Sequence, residues 1–249
     1  TLLLYDFIST FTPKGAFLDV GCGCGILGLL LKRDFPSLHV SLLDIQAQNC
    51  EIAKANALEN EIALEEITCN DFLKTTFDKK FDFIVSNPPF YHTGVVQSED
   101  EHLNVSRHSS HLPFDAFAKK VTKSLSNKGY FIFCYDAKQI DTLMVCLHHE
   151  GLKVEDLRFV HTKEVNEASL VMIRARKNSK TLTKVHPPLF VMENNSFTPS
   201  VQAIFEHSKT QSYPWQSYCV LRALPMDLMQ KRVKRVKETA ARGRVGIFG

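Results

Sequence analysis

The sequence predicts an α/β protein whose sheet is mostly parallel, and three observations carry that expectation. Short apolar or β-branched runs alternate with helical patterns from residue 16 onward, the signature of successive βαβ units. A glycine-rich turn, Gly21 to Gly25, follows the first run directly and opens a helix. Across 249 residues the composition is that of an ordinary globular chain, 44% hydrophobic and 23% charged. The longest apolar run, Ile26 to Leu31, is stopped by Lys32-Arg33 well short of the ~20 residues that a membrane-spanning helix needs. No membrane partner is expected.

The elements follow in order. Thr1-Leu2-Leu3-Leu4-Tyr5 lacks the basic n-region and cleavage site of a signal peptide and reads as a chain entering a helix, with residues expected upstream. Strands are expected at Ala16–Val20, Val40–Asp44, Ala63–Thr68, Phe81–Ser86 and Gly129–Tyr135, each bounded by turn or charged residues. Helices fill the gaps. Gly25–Asp34 repeats Ile26, Leu29 and Leu30 and ends before Pro36. Ala47–Leu58 repeats Ile52, Ala53 and Ala57. Pro113–Leu125 begins with proline in its first turn and repeats Phe114, Phe117, Val121 and Leu125. After a helix at Gln139–Glu150, the runs Val154–His161 and Leu170–Ala175 flank the polar segment Lys163–Glu167, spacing that suits an antiparallel pair. From Asn178 the pattern weakens. Pro187-Pro188, Asn194-Asn195 and Pro199 mark an irregular stretch, Val201–Glu206 a short helix, and no second compact domain is drawn.

Seven cysteines, Cys22, Cys24, Cys50, Cys69, Cys134, Cys146 and Cys219, are an odd number lying mostly in apolar stretches, which predicts free thiols in a reducing cytoplasm. The Cys22-x-Cys24 pair has no second close pair of ligands at zinc-finger spacing, so no metal is expected. His39, His102, His111 and the pair His148-His149 are scattered and read as solvated or locally bonded. Charge is uneven. Residues 231–249 carry seven Lys and Arg against one Glu, whereas residues 1–230 carry 23 Lys and Arg against 26 Asp and Glu. The net +3 is therefore a tail effect, and a basic block of this kind reads as a nucleic-acid contact.

Chemistry first enters at Asp19-Val20-Gly21-Cys22-Gly23-Cys24-Gly25. Glycines there permit a tight turn and let a ligand lie against backbone amides at a helix N-terminus. Gly23-x-Gly25-x-x-Gly28 formally matches a dinucleotide fingerprint, with Asp44 close to the ~20-residue offset of a ribose-binding acid. Asp44, at the end of the second strand, is placed to accept ribose hydroxyls. Asn70-Asp71-Phe72 lies just past the third strand, at the carboxyl edge where open α/β sheets bind ligands. Asp71 there could accept from an adenine amino group with Phe72 packing on the ring, or serve as a helix N-cap.

The fourth strand runs into Asn87-Pro88-Pro89-Phe90. Two prolines fix φ and remove two donors, leaving carbonyls held out with no ladder to join. An amine or amide NH₂ can donate one hydrogen to the Asn87 side-chain oxygen and one to the Pro88 carbonyl, while Phe90 stacks on the planar group. Orienting a weakly basic nitrogen in this way can lower a barrier by up to ~7–11 kcal/mol. A dehydrogenase has no use for this tetrad. With Asp19 at the end of the first strand, the glycine loop resembles motif I of the S-adenosylmethionine-dependent methyltransferases. The chain as a whole resembles the bacterial tRNA1(Val) adenine-N6 methyltransferases from about residue 1 to residue 206. Tyr91, Ser106-Arg107-His108 and the Lys184-x-His186-Pro187-Pro188-Leu189 segment add to the likeness.

That resemblance implies a class I methyltransferase fold: a Rossmann-like, seven-stranded, mostly parallel sheet with a C-terminal antiparallel hairpin. It implies a domain over residues 1–206, while residues 207–249, a C-terminal extension bearing the basic tail, depart from the family pattern. The implied cofactor is S-adenosyl-L-methionine, held by Asp19, Gly21, Gly23, Gly25, Asp44, Ile45, Asp71, Phe72 and Asn87. Catalysis falls to Asn87, Pro88, Pro89 and Phe90. The tRNA substrate is expected at Tyr91, Arg107 and His108 and along Lys231, Arg232, Lys234 and Arg235, with a monomer as the working state. Other readings remain open at this point: guanine-N2 methylation of ribosomal RNA, since the tetrad holds any planar NH₂; methylation of a protein glutamine; and an RNA-binding module without turnover.

Overall fold

The computed structural model describes residues 1–88, 114–215 and 218–223. The chain opens with helix α1 (Leu2–Ser9), then alternates β1 (Gly15–Val20), α2 (Ile26–Asp34), β2 (Leu38–Asp44), α3 (Ala47–Glu59), β3 (Glu66–Cys69) and β4 (Phe81–Ser86). Helix α4 (Phe114–Ser124), β5 (Leu125–Asp136), α5 (Ile140–His149), β6 (Leu152–His161) and β7 (Ala168–Lys177) complete the body of the sheet. These bounds lie within a few residues of the expected ones. Phe81–Ser86 coincides, and β3 starts three residues later than Ala63. Beyond β7 come the short strands β8 (Lys184–Val185), β9 (Leu189–Phe190), β10 (Met192–Glu193) and β11 (Ser196–Phe197), helix α6 (Pro199–Ser208), and the hairpin β12 (Thr210–Trp215) and β13 (Tyr218–Ala223).

The strand order is β3-β2-β1-β4-β5-β7-β6. Pairing is parallel from β3 through β5 and antiparallel for β7 against both β5 and β6. The expected hairpin therefore forms, with β7 inserted between β5 and β6.

One expectation is corrected. The stretch around Pro187-Pro188 is not wholly irregular, because β8 and β9 add to β6 in parallel and cover its free edge. The prolines hid this by dividing the pairing into two dipeptides. On either side of them, His186 N–H donates to the Leu157 carbonyl and Val191 N–H to that of His161. An unpaired edge invites association, and this short cover pairs Asp156, Leu157, Val160 and His161 of it. The His186 ring also bonds the Asp156 carboxylate at 2.7 Å, and Arg174, lying over the rings of Phe11 and Tyr130, pairs with both Glu155 and Asp156.

Central parallel strands are buried on both faces, and period-2 alternation assigns their side chains to two cores. Phe17, Phe83, Val85, Ile132 and Cys134 face the layer of α1, α2, α3 and α6. Leu18, Ile84, Phe131, Phe133 and Tyr135 face α4 and α5. On the first face α6 is tied to the chain's opening: Arg33 of α2 pairs with Asp34, Tyr5 of α1 donates to the same carboxylate, and Arg33 Nη1 reaches the Ser208 carbonyl at 2.6 Å. No helix among the described residues is long and apolar enough to cross a membrane.

Candidate active site

The carboxyl ends of β1, β2, β3 and β4 meet along one edge of the sheet, and most of the expected site residues lie there. The turn after β1 is left-handed at Gly21, Gly23 and Gly25, with φ of +68°, +55° and +80°. Side chains rarely adopt such angles, so three alternate glycines are what this backbone path requires. The N–H groups of Gly21 and Cys22 both donate to the Leu43 carbonyl at the end of β2, at 2.8 and 3.1 Å.

The glycines divide by role. A Cβ on Gly21 or Gly23 would meet nothing within 4 Å, so the loop faces open space on that side. A Cβ on Gly28, one turn into α2, would stand 2.4 Å from Leu42 Cδ2, so that glycine serves the approach of α2 to the sheet. The Gly28 N–H donates to Asp19 Oδ2 at 3.1 Å. Asp19 is 1% exposed; burial pushes its carboxyl up to about 7, with the Gly28 hydrogen bond opposing and the nearby Asp44 charge adding to the rise. Asp19 thus anchors the loop from beneath.

Asp44 ends β2 and is 5% exposed. Its Oδ2 accepts from Gly23 N–H at 2.8 Å, and its Oδ1 from Gln46 N–H at 2.9 Å and Asn49 Nδ2 at 3.0 Å. A carboxylate offers about four lone-pair sites, so one remains for a ligand hydroxyl. A diol binding through both hydroxyls would take over one of the existing bonds, the Gly23 bond being the one on the loop itself. Next to it, Ile45 stands 54% exposed, an apolar side chain in the open where a planar ring could lie.

At the end of β3, Asp71 takes the turn-capping role. Its Oδ1 accepts from Leu73 N–H at 2.9 Å, and Lys74 Nζ lies 3.5 Å from Oδ2. Phe72 is 3% exposed and packs edge-on against Phe117 in the core, so it supports this edge from below. At the end of β4, Asn87 is half-buried and Pro88 buried. Asn87 Nδ2 donates to Thr1 Oγ1 at 3.4 Å, and no described residue donates to its side-chain oxygen. Pro89, Phe90, Tyr91, Arg107, His108, Lys231, Arg232, Lys234 and Arg235 lie outside the described residues. Among the described residues no group of His, Cys, Asp and Glu is placed to hold a metal ion.

Three further residues shape this edge. Asn49 orients Asp44, Asn56 Nδ2 donates to the Cys24 carbonyl at 2.8 Å, and Ser86 Oγ donates to the Val20 carbonyl at 2.8 Å. Asn49 and Asn56 stand two turns apart on the buried face of α3, among Ile52, Ala53 and Ala57. An asparagine on an apolar helix face was the available signal.

A mostly parallel sheet with this strand order and a glycine loop after β1 is the class I S-adenosylmethionine-dependent methyltransferase fold. It is shared with a predicted O-methyltransferase from Agrobacterium tumefaciens, with TM-score 0.64, 15% identity and coverage of 83% of this chain and 95% of that one. A putative class I S-adenosylmethionine-dependent methyltransferase from Listeria monocytogenes shares it as well, with TM-score 0.56, 17% identity and coverage of 82% and 68%. More particularly, residues 1–111 match the family model of the Methyltransferase small domain. Among curated relatives, the tRNA1(Val) (adenine(37)-N6)-methyltransferase of Phocaeicola vulgatus is 27% identical over 157 residues, 63% of this chain and 66% of that protein. The ribosomal RNA small subunit methyltransferase C of Escherichia coli is 39% identical over 95 residues, 37% of this chain and 27% of that protein.

Proposed function

We propose that this chain is an S-adenosylmethionine-dependent methyltransferase acting on the exocyclic N6 amine of an adenine in tRNA, next to the anticodon of valine tRNA. The observation that carries the reading is the placement of Asn87-Pro88 at the end of β4, beside the glycine loop that ends β1. The chain's residues fit the cofactor: Gly21 and Gly23 leave open space, Asp44 keeps an acceptor site for a hydroxyl, and Ile45 offers an apolar face. S-adenosylmethionine, when bound, supplies an electrophilic methyl group.

The remaining chemistry belongs to the clamp. The Asn87 side-chain oxygen and the Pro88 carbonyl accept the two N–H bonds of the substrate amine. Holding both hydrogens leaves the nitrogen lone pair as the one free direction, and the amine proton that is lost on methylation departs to water. No strong base is required, because orientation rather than basicity limits an aromatic amine. The expected test result is N6-methyladenosine in tRNA digested after incubation with the chain and labelled cofactor, read by nucleoside mass spectrometry.

A second reading, guanine N2 in ribosomal RNA, draws on the likeness to the Escherichia coli ribosomal RNA enzyme over 95 residues. N2-methylguanosine in ribosomal RNA and unmodified tRNA in the same assay would select it.

A further inference from the structure

The clamp and the cofactor loop leave the sheet side by side. Val20 and Ser86 are partners in the last rung of the parallel β1–β4 pairing, and the next residues are Gly21 on one strand and Asn87 on the other. On its other flank the loop is heavily tied: Gly21 and Cys22 to the Leu43 carbonyl, Gly23 to Asp44, and Cys24 to Asn56. Toward β4 the regular pairing ends at that rung, and the Ser86 hydroxyl adds a side-chain bond across it. Ser86 is 1% exposed, and it bonds the Val20 carbonyl at 2.8 Å, one residue before each loop begins.

We propose that Ser86 is a positioning residue that sets the spacing between the loop carrying the methyl donor and the clamp carrying the acceptor amine. This rests on the methyl-transfer reading of Asn87. Donor affinity depends on the β1–β2 side of the loop, which Ser86 does not touch. The geometry across β1 and β4 depends on the Ser86 bond, and misplacement by an ångström can cost on the order of a hundredfold in rate.

The test compares Ser86→Ala and Ser86→Cys with the unaltered chain. Three quantities are measured: single-turnover methyl transfer at saturating cofactor and RNA, the Kd for S-adenosylhomocysteine by calorimetry, and backbone amide exchange in the ligand-free protein. Ser86→Ala is expected to slow transfer by about tenfold or more while the Kd moves by less than about threefold. Exchange should quicken at residues 81–88 and stay unchanged at 38–44. Ser86→Cys, a weaker donor of similar size, should fall between the two rates.

Transfer by Ser86→Ala at the unaltered rate would overturn the proposal, as would a loss of S-adenosylhomocysteine affinity in proportion to the loss of rate. If Ser86→Ala does not fold, an unaltered rate for Ser86→Cys has the same force. If the unaltered chain methylates no amine in any RNA, it is the methyltransferase reading that fails. Amide exchange then judges Ser86 by itself, and unchanged exchange at 81–88 overturns its role.

Discussion

In the proposed mechanism Asn87 gives the amine one acceptor and the Pro88 carbonyl the other, so the side chain would act on the reacting group more than on the cofactor. Asn87→Ala is expected to cut single-turnover transfer on the order of a hundredfold while S-adenosylhomocysteine affinity holds, the pattern of an interaction made chiefly at the transition state. Asp44 is the converse case. Its carboxylate holds Gly23 and is proposed to take a ribose hydroxyl, so Asp44→Ala should weaken S-adenosylhomocysteine binding by ~1–3 kcal/mol in calorimetry. Asp19 adds a pH signature. Its folded carboxyl is raised from 3.8 to about 7, so the folded state holds a proton that the unfolded chain has released. Stability from this group is complete below about pH 4 and is lost as pH rises through about 7. Asp19→Asn should remove that part of the slope, seen as a difference from the unaltered chain in urea midpoints measured at pH 5 and pH 8. These residues differ in how far the sequence disclosed them. The D-V-G-C-G-C-G string and N-P-P-F announce a site because few other uses demand such residues together. Ser86, Asn49 and Asn56 are single polar residues whose partners lie 66, 5 and 32 positions away, and only the folded chain pairs them.

At the scale of elements, the strands were legible because a parallel strand buried on both faces must be a short apolar run, and β1, β2, β4 and β5 are such runs. Strands β8 and β9 were not, since a dipeptide has no periodicity and Pro187-Pro188 argues for a break. Contact between helix and sheet sets a sharper requirement than either pattern. Helix α2 lies on β1 and β2 close enough that Gly28 is the residue the gap admits, with Leu42 and Val40 opposite. Gly28→Ala should therefore cost ~1–3 kcal/mol by overpacking, despite alanine's better helix propensity. Chemical denaturation measures it. A neutral or stabilising result would mean that α2 can withdraw from the sheet freely.

Over the whole molecule, charge is distributed against RNA binding by the body: residues 1–230 carry more acids than bases, while 231–249 concentrate seven cations. Each phosphate contact contributes a log K versus log[salt] slope of about −0.7 to −0.9. Deleting 231–249 is expected to weaken tRNA binding and flatten that slope by several units, with S-adenosylhomocysteine affinity unchanged. An unaltered slope would assign the RNA instead to the Arg107-His108 region and the Lys184–Leu189 segment. A flattened slope with unchanged S-adenosylhomocysteine affinity would make substrate attraction and methyl chemistry separable by truncation.

The bond from Arg33 to the Ser208 carbonyl spans 175 residues and ties α2, and through Asp34 the opening helix α1, to α6. A chain made at ~5–20 residues per second needs on the order of 9 to 35 seconds to produce that partner after Arg33 has left the ribosome. Throughout that interval Leu4, Phe7 and Ile8, all destined for the core, lack part of their cover. The nascent chain therefore passes through a long window in which its first helix is a ready target for a chaperone that grips exposed apolar segments, and release from that guardianship waits on nearly the last element of the body to be translated.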